Sequence, residues 1–598
     1  MSAQLKIDRS AMEARWVFPE LNDEKIHRMM TDFSVPEIVA RLLVSRNVEP
    51  EKVQSFLFPR LATDFPDPLA LKDMEGFANW AAEAICQGKK FSAFCDFDVD
   101  GSTSAAVWKK FFNHLGIDLP VYIPDRMTEG YGPNTKALKK LKDDGADIVL
   151  MSDCGTTSFE VIEQGRELGL DICIFDHHEQ GDHLPASKWL INPKRKDDTS
   201  DLDMLAAVGV TFLACVAINR VLRDTGYYAE KNMSEAPLKE WLDIVALGTV
   251  CDMVPLTGPN RLLVRIGFVQ MAQHKNIGLK ALCDVGGIKK DPTPMDAGFV
   301  LGPRINAGSR VHQADLGAKL LSCTDAEEAK NLAWTLNDCN AKRKSIQNDM
   351  MSEALDQIEQ RNLAERPIIM VWDETWHAGL NGLVAGQIKV RFGRPASCIA
   401  FARGMSGELE GRGSGRSVAG FNMAALFMAA KEKGLVLKGG GHAMAAGFTV
   451  EPEKIEELDQ FFLEHAEKIM GGSEVVIEQQ VDAIASIRGI RPDFVKLLED
   501  NVGPFGQENP EPRFILPSMR IAMVDIVGEH HVRIQMTEAD GGQRMKAMAF
   551  RAVGTPLGDI LLKAKGGRLI HFLGQFKVNH WNGVDNVEFM ISDACLAD

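Results

Sequence analysis

Three carboxylates stand at alternate positions in the stretch FSAFCDFDVDGSTSAA (91–106): Asp96, Asp98 and Asp100. They follow a short apolar run at 91–95 and precede Gly101 and the small hydroxyl residues Ser102, Thr103 and Ser104. Acids so closely spaced repel one another and lose solvation if buried. A hard divalent cation offsets both costs, because carboxylate oxygens suit Mg²⁺, Mn²⁺ or Ca²⁺. The plain alternative is a solvated acidic turn. An EF-hand does not fit: no Glu closes a twelve-residue loop, and the preceding segment reads as a buried strand.

Further sites of the same kind follow. Asp153 ends the apolar run 148–151, and Asp176-His177-His178 end the run 172–175. Asp252 lies in IVALGTVCDMVPL after a helical stretch at 241–247, where a helix-terminal aspartate is the alternative reading. A lone histidine at a strand end is usually a satisfied core or surface residue. Beside three other acidic sites, the His pair instead suggests a mixed nitrogen and oxygen donor set, which favours Mn²⁺ or Mg²⁺-like chemistry over Zn²⁺.

The elements that must position these groups can be read around them. After Gly101, the residues Trp108, Phe111, Phe112 and Leu115 have amphipathic helical spacing, with a Ser or Thr as the expected N-cap. Strands at 121–124, 148–151 and 172–175 alternate with helices at 134–142 and 158–168. This alternation, with continuous apolar strands, predicts a parallel α/β sheet. Ligands in such folds bind beyond the carboxyl ends of the strands, so acids distant in sequence can meet at one rim.

At 598 residues the chain should form several domains. Its net charge of −16 argues against non-specific binding of nucleic acid or anionic membrane over the whole surface, and leaves room for a local basic channel. The eleven cysteines include no C-x-x-C pair, so neither a zinc ribbon nor a disulfide framework is expected, and a reducing cytoplasm fits. The first residues lack the apolar core of a signal peptide, and no long uncharged apolar run predicts a membrane span.

Residues 1–80 have helical patterning interrupted by Pro59, Pro66 and Pro68 and read as a helical cap on the next domain. The proline-free segment 313–365 reads as a long scaffold helix. A second α/β lobe then begins, with strands at 368–372 and 396–401 and a helix at 383–391. Residues 366–450 carry ten Lys/Arg against five Asp/Glu, so this lobe is locally basic. Its motifs GRGSGRS (411–417) and GGGH (439–442) read as glycine-rich turns whose backbone can approach a phosphate, with Arg412 and Arg416 adding bidentate contacts. From 456 to 598, short alternating strands and glycine turns predict a small β-barrel that could hold single strands by stacking. Phe550, Phe576 and Trp581 are its stacking candidates, with barrel core as the alternative for each.

Together DFDVDG, Asp153 in MSDCGTTS, DHH at 176–178 and Asp252 resemble the four ordered motifs of the DHH phosphoesterase superfamily. IPDRMTEGYG (123–132), GPRINAGSR (302–310), WHAGLNGLVA (376–385), GRGSGRS and GGGHAMAAG (439–447) resemble those of its bacterial RecJ branch, the single-strand-specific DNA exonucleases. Cys154 stands where that family commonly has Asn, and Gly308-Ser309 replaces its usual Ala-Gly. The resemblance implies a DHH catalytic domain at 81–312, a bridging helix at 313–365, a DHH-associated substrate-binding domain at 366–455 and an OB-like domain at 456–598. It implies two ions, Mn²⁺ or Mg²⁺, held by Asp98, Asp100, Asp153, His177 and Asp252 with Asp96 close by. His178 would position or protonate at the phosphate.

Arg126 and Tyr131 are placed to contact the DNA backbone and stack on a base. Arg304, Asn306 and Arg310 are further phosphate candidates, each arginine having a salt-bridge alternative. Ser414, Arg416, Gly440, Gly441 and His442 fall on the motifs of the substrate-binding domain. The implied activity is 5′ to 3′ hydrolysis of single-stranded DNA to 5′-mononucleotides in repair and recombination. The implied protein is a cytoplasmic monomer, with single-strand-binding protein and a helicase as partners. Two alternatives are a phosphodiesterase of dinucleotides or short oligonucleotides and a non-catalytic DNA-binding scaffold.

Overall fold

Five short strands build the sheet that carries the acids. In spatial order they are Val121–Tyr122, Phe91–Cys95, Ile148–Ser152, Asp171–Phe175 and Trp189–Ile191, all parallel. Every residue of Phe91–Cys95 and Ile148–Ser152 is buried, which explains why each is apolar but for one serine, Ser92 or Ser152. The order reverses between these two strands, and a crevice opens at such a switch point. Cys95 pairs with Ser152 and Ser152 with Phe175. Asp96, Asp153 and Asp176 therefore leave the sheet side by side.

The computed structural model describes residues 5–403, 408–470, 477–564, 567–581 and 583–597, without the side chains of Met470, Ile477 and Trp581. The chain divides into two units. One comprises Pro66–Val254 and Ile266–Glu474; the other comprises Met1–Phe65, Pro255–Arg265 and Val475–Asp598.

In the first unit, the helix Val99–His114 follows the acidic turn and buries Trp108, Phe111 and Phe112. Its N-cap is Asp98, not a Ser or Thr: the carboxylate accepts from the amides of Asp100 at 2.8 Å and Gly101 at 3.1 Å. The helix thus starts earlier than the apolar spacing indicates, and Ser102, Thr103 and Ser104 are buried inside it. Gly101 is required, since a Cβ there would collide with the Asp96 carbonyl.

The helix Ala326–Gln360 runs for 35 residues, about 52 Å at 1.5 Å per residue. Near its start Leu336 packs close to Gly308. Near its end Met350, Ala354 and Ile358 enter the core of the second lobe with Ile369, Val384 and Cys398. It therefore links the two lobes.

The second lobe has a mixed sheet in the order Lys438–His442, Ala445–Val450, Leu409–Arg416, Ala396–Arg403, Ile369–Asp373. Both glycine motifs lie in strands, where the sequence had suggested turns. A Cβ at Gly413 would collide with the Phe448 ring, and one at Gly415 would sit 2.6 Å from Phe427. Strand periodicity puts these glycines on the face covered by aromatic rings and puts Arg412, Ser414 and Arg416 on the other. Gly413 and Gly415 make room for the core.

In the second unit, the helices Asp23–Phe33, Glu37–Ser45 and Pro50–Leu57 share a hydrophobic core with residues of the C-terminal segment such as Ile487, Leu498 and Val502. The cap expected at 1–80 is accordingly divided, its first 65 residues grouping with the C-terminal segment. Phe514–Val527, His531–Glu538, Arg544–Ala549, Val584–Leu596 and Leu569–Trp581 form a closed five-stranded barrel, because the first strand also pairs with the last. Phe576 is barrel core, with ring centroids 5.1 Å from Phe514 and 5.0 Å from Phe589. Phe550 is 63% exposed. The Trp581 side chain lies outside the described residues.

Candidate metal centre and phosphate cleft

The acids meet at the rim of the parallel sheet. His177 Nε2 lies 3.4 Å from Asp153 Oδ1, 3.5 Å from Asp252 Oδ2 and 3.8 Å from Asp100 Oδ2. One group of potential ligand atoms within 4.8 Å of each other comes from Asp100, His177 and Asp252, and another from Asp96, Asp98 and Asp153. Local structure fixes each one. Asp100 is buried, and its two oxygens accept from the amides of Ala207 and Val208 at 2.7 and 2.8 Å, at the start of the helix Ala207–Asp224. Asp153 holds a left-handed backbone, φ 62°, unusual for a residue with a side chain. Asp252 ends the helix Leu242–Cys251, whose Gly248 packs against Thr103 of the helix after the acidic turn.

Without cations this cluster is electrostatically unstable. Two like charges 4 Å apart cost about 4 kcal/mol at an effective dielectric of roughly 20. Burial and then neighbouring carboxylates push Asp96 and Asp153 well above the usual carboxylate range, Asp100 up to about 7 and Asp252 up to about 9. Burial, aided by the charge of His178, pushes His177 down to about 4, leaving a neutral imidazole able to act as a ligand. Asp96 Oδ1 and His177 Nδ1 are buried with no hydrogen-bond partner among the described residues. Hard oxygens, one neutral nitrogen and unpartnered buried atoms fit divalent cations of the Mn²⁺ or Mg²⁺ type.

His178 has a different environment. Its Nδ1 is 2.6 Å from Asp176 Oδ1 and its Nε2 is 3.0 Å from the Tyr131 hydroxyl. Burial opposes its charge, but the Asp176 hydrogen bond and carboxylate outweigh that and raise it to about 9. Burial would raise Asp176 too; the bond and charge of His178 hold it well below the usual range. Both ring nitrogens have partners here, and His178 also joins Asp153 and His177 in a third set of potential ligand atoms within 4.8 Å of one another. The Tyr131 hydroxyl also donates to the Asp153 carbonyl at 3.2 Å, while its ring is exposed. Cys154 is buried in an apolar cluster, its thiol 3.6 Å from the Ser152 carbonyl, and burial, then Asp96, Asp176 and Asp153, push that thiol up.

A basic group lies within electrostatic reach of these acids. Arg310 feels Arg126, Arg343, Arg416 and Asp98, and burial first, then those cations, push it down to about 9. Arg126 lies 4.6 Å over the Phe97 ring, between the metal-site acids in sequence. Arg416 donates to Ser414 Oγ at 3.1 Å. The helix Asn381–Phe392 starts beside them: a Cβ on Gly382 would be 2.6 Å from the Arg416 guanidinium. Guanidinium groups and a helix N-terminus together favour a phosphate. In the sheet, His442 is in register with Ala445 and Arg416, and Gly440 with Gly447 and Ser414. These residues thus share one face, while Gly441 falls in the intervening row with Ala446 and Gly415.

Arg304 is not drawn into this group by its contacts; it donates to the Val300 carbonyl at 2.7 Å and to Asn337 at 3.0 Å. Asn306 Oδ1 is buried without a partner among the described residues. Sequence reading missed Arg343, which is collared by Asn340 and Gln347 at 2.6 Å each. Its signal was a cation with amides three residues before and four after it. It also missed the orienting role of Asp176.

Family models match along the chain: the DHH family N-terminal domain over 90–249, the DHHA1 domain over 365–468 and the RecJ OB domain over 481–593. The single-stranded-DNA-specific exonuclease RecJ of Salmonella typhimurium is 33% identical over 94% of this chain and 96% of that protein. The Escherichia coli RecJ is 34% identical over 85% and 88%. A crystal structure of Thermus thermophilus RecJ in complex with Mn²⁺ superposes with a TM-score of 0.79 at 25% identity, covering 97% of this chain and 79% of that one. Carrying the acids, the neighbouring arginines and all three matched domains, the chain belongs to the RecJ family of single-stranded-DNA-specific exonucleases.

Proposed function

We propose that this chain is a metal-dependent exonuclease that removes 5′-mononucleotides from the 5′ end of single-stranded DNA, acting in repair and recombination. The observation that carries the reading is the convergence of Asp96, Asp98, Asp100, Asp153, His177 and Asp252 within electrostatic reach of Arg126 and Arg310, which Arg416 in turn adjoins. The relatives named above carry the substrate class. When bound, two Mn²⁺ or Mg²⁺ ions supply an activated water and neutralise charge on the scissile phosphate.

The protein's own groups do the rest. Asp98, Asp100, Asp153, His177 and Asp252, with Asp96, hold the ions. Protonated His178, its Nδ1–H held by Asp176, passes its Nε2–H from the Tyr131 hydroxyl to a phosphate oxygen. Arg310, Arg416, Ser414 and the start of the helix Asn381–Phe392 bind a terminal phosphate, with Gly440, Gly441 and His442 on the neighbouring hairpin. Arg126 holds the backbone and the exposed Tyr131 ring stacks on a base. Arg304 and Asn306 support this wall. Anchoring the strand end sets exonucleolytic cutting.

A single-strand specialist depends on an unwinding activity, so a helicase is its natural supplier and single-strand-binding protein shares its substrate. We place it in the cytoplasm as a monomer. The described cysteines are all free, and among the described residues no helix is long and apolar enough to cross a membrane. Digestion of end-labelled single- and double-stranded DNA with and without Mn²⁺ tests the reading. Metal-dependent release of mononucleotides from the 5′ end of the single strand alone is expected. Preference for a dinucleotide, or no hydrolysis, would refute it.

A further inference from the structure

Arg126 and Tyr131 lie on a loop with no regular secondary structure, yet each must be held against the metal site. The loop is organised by one carboxylate that the mechanism does not use. Glu129 Oε2 accepts from the Tyr122 hydroxyl and from the Asn134 amide, each at 2.8 Å, and Oε1 accepts from the Asp125 amide at 2.9 Å. Tyr122 belongs to the edge strand of the parallel sheet, and Asn134 caps the next helix, Thr135–Asp143. Glu129 therefore ties both ends of the loop to fixed elements. Asp125 closes the tip by accepting from the amides of Met127 and Thr128. The second lobe touches the same loop, Arg412 donating to the Met127 carbonyl at 3.0 Å.

The result is a continuous stack. The Arg126 guanidinium lies over Phe97, Phe97 meets the Tyr131 ring edge-on at 6.2 Å, and Tyr131 meets His178 at 5.9 Å. The Asp125 carboxylate is bonded only within the loop, to Met127 and Thr128, whereas Glu129 alone among the loop's carboxylates is bonded to the elements on both sides of it. We propose that Glu129 is a positioning residue for DNA: it sets Arg126 against a backbone phosphate and the Tyr131 ring against a base without itself touching substrate. This rests on the nuclease reading above and adds a residue to it.

The test uses the full chain carrying Asp153→Ala, so that DNA is bound and not cut. Affinity for a 5′-phosphorylated oligonucleotide is measured against salt for four proteins: this parent, and the parent with Glu129→Ala, with Arg126→Ala, or with both. Glu129→Ala is expected to weaken binding about tenfold and to reduce the salt slope by about one, as losing a phosphate contact does. The double variant should lose less than the sum of the two single losses, since both changes remove the Arg126 contact and only the Tyr131 contribution remains for Glu129→Ala to take away. Glu129→Gln, which keeps one acceptor oxygen, should recover part of the loss. Additive losses, or an unchanged slope in a protein with an unchanged melting temperature, would overturn the positioning role. A parent that fails to bind single-stranded DNA at all would overturn the nuclease reading instead.

Discussion

His177 Nε2 stands 3.4 Å from Asp153 Oδ1, although the two residues leave different strands. They meet because those strands are adjacent and in register, so side chains just past each end face one another. Asp153 also appears in ligand groups with Asp96 and Asp98, and is the residue best placed to serve two ions.

Asp153→Ala is therefore expected to lower hydrolysis by about a thousandfold or more, while single-strand affinity changes little. Hydrolysis rates and equilibrium binding on the same preparation check this. Equal loss of both in a folded protein would remove Asp153 from the metal site.

Metal removal should make stability depend on pH in one direction. Asp100 and Asp252 are raised to about 7 and about 9 from an ordinary 3.8, burial being the main cause. In the metal-free protein the folded state then binds more protons than the unfolded chain between those limits. Stability is fully present below pH about 4 and is lost as pH rises towards 9. Melting temperatures with chelator should fall across that window, and saturating Mn²⁺ should restore them. At one hundred times its Kd, each ion adds about 2.7 kcal/mol. A metal-free protein with flat stability over that window would contradict the assignment.

The strand Leu409–Arg416 has two faces with separable roles. Gly413→Ala should destabilise by about 1–3 kcal/mol, because the new methyl meets Phe448. Arg416→Ala should leave the melting temperature nearly unchanged, weaken DNA binding and reduce the salt slope by about one. Melting curves and salt titrations of both variants would show whether the effects divide this way.

Asp176→Asn removes the charge that keeps His178 protonated up to about 9. The upper limb of the pH–rate profile should move to lower pH, and kcat should fall about 10- to 100-fold at neutral pH. An unaltered profile would show that His178 does not act as a cation.

Much of the site could be read from sequence because each acid follows an apolar run. A buried parallel strand is an unmistakable pattern, and the residue after it has a known place. Asp98 as N-cap was less visible: the apolar spacing marks the buried helix face, not the first turn. GRGSGRS was misleading for a related reason. It alternates like a strand, but its inward positions are glycines, and the apolar groups that cover them come from Phe427 and Phe448, outside the motif. Arg343 looked like any cation on a long helix, and only the fold brings Arg310 to it. The core partners of the N-terminal helices are hundreds of residues away, and no local pattern encodes them.

Closure of the C-terminal barrel has a consequence for how it can hold a ligand. Phe514–Val527 is shared between two partners, its first half bonded to Leu569–Trp581 and its second to His531–Glu538, so each of the five strands already has two neighbours and an incoming strand cannot enter between them without breaking main-chain bonds. Adhesion must come from projecting side chains such as Phe550. These can be exchanged with little risk to the architecture, which leaves grip strength adjustable independently of folding.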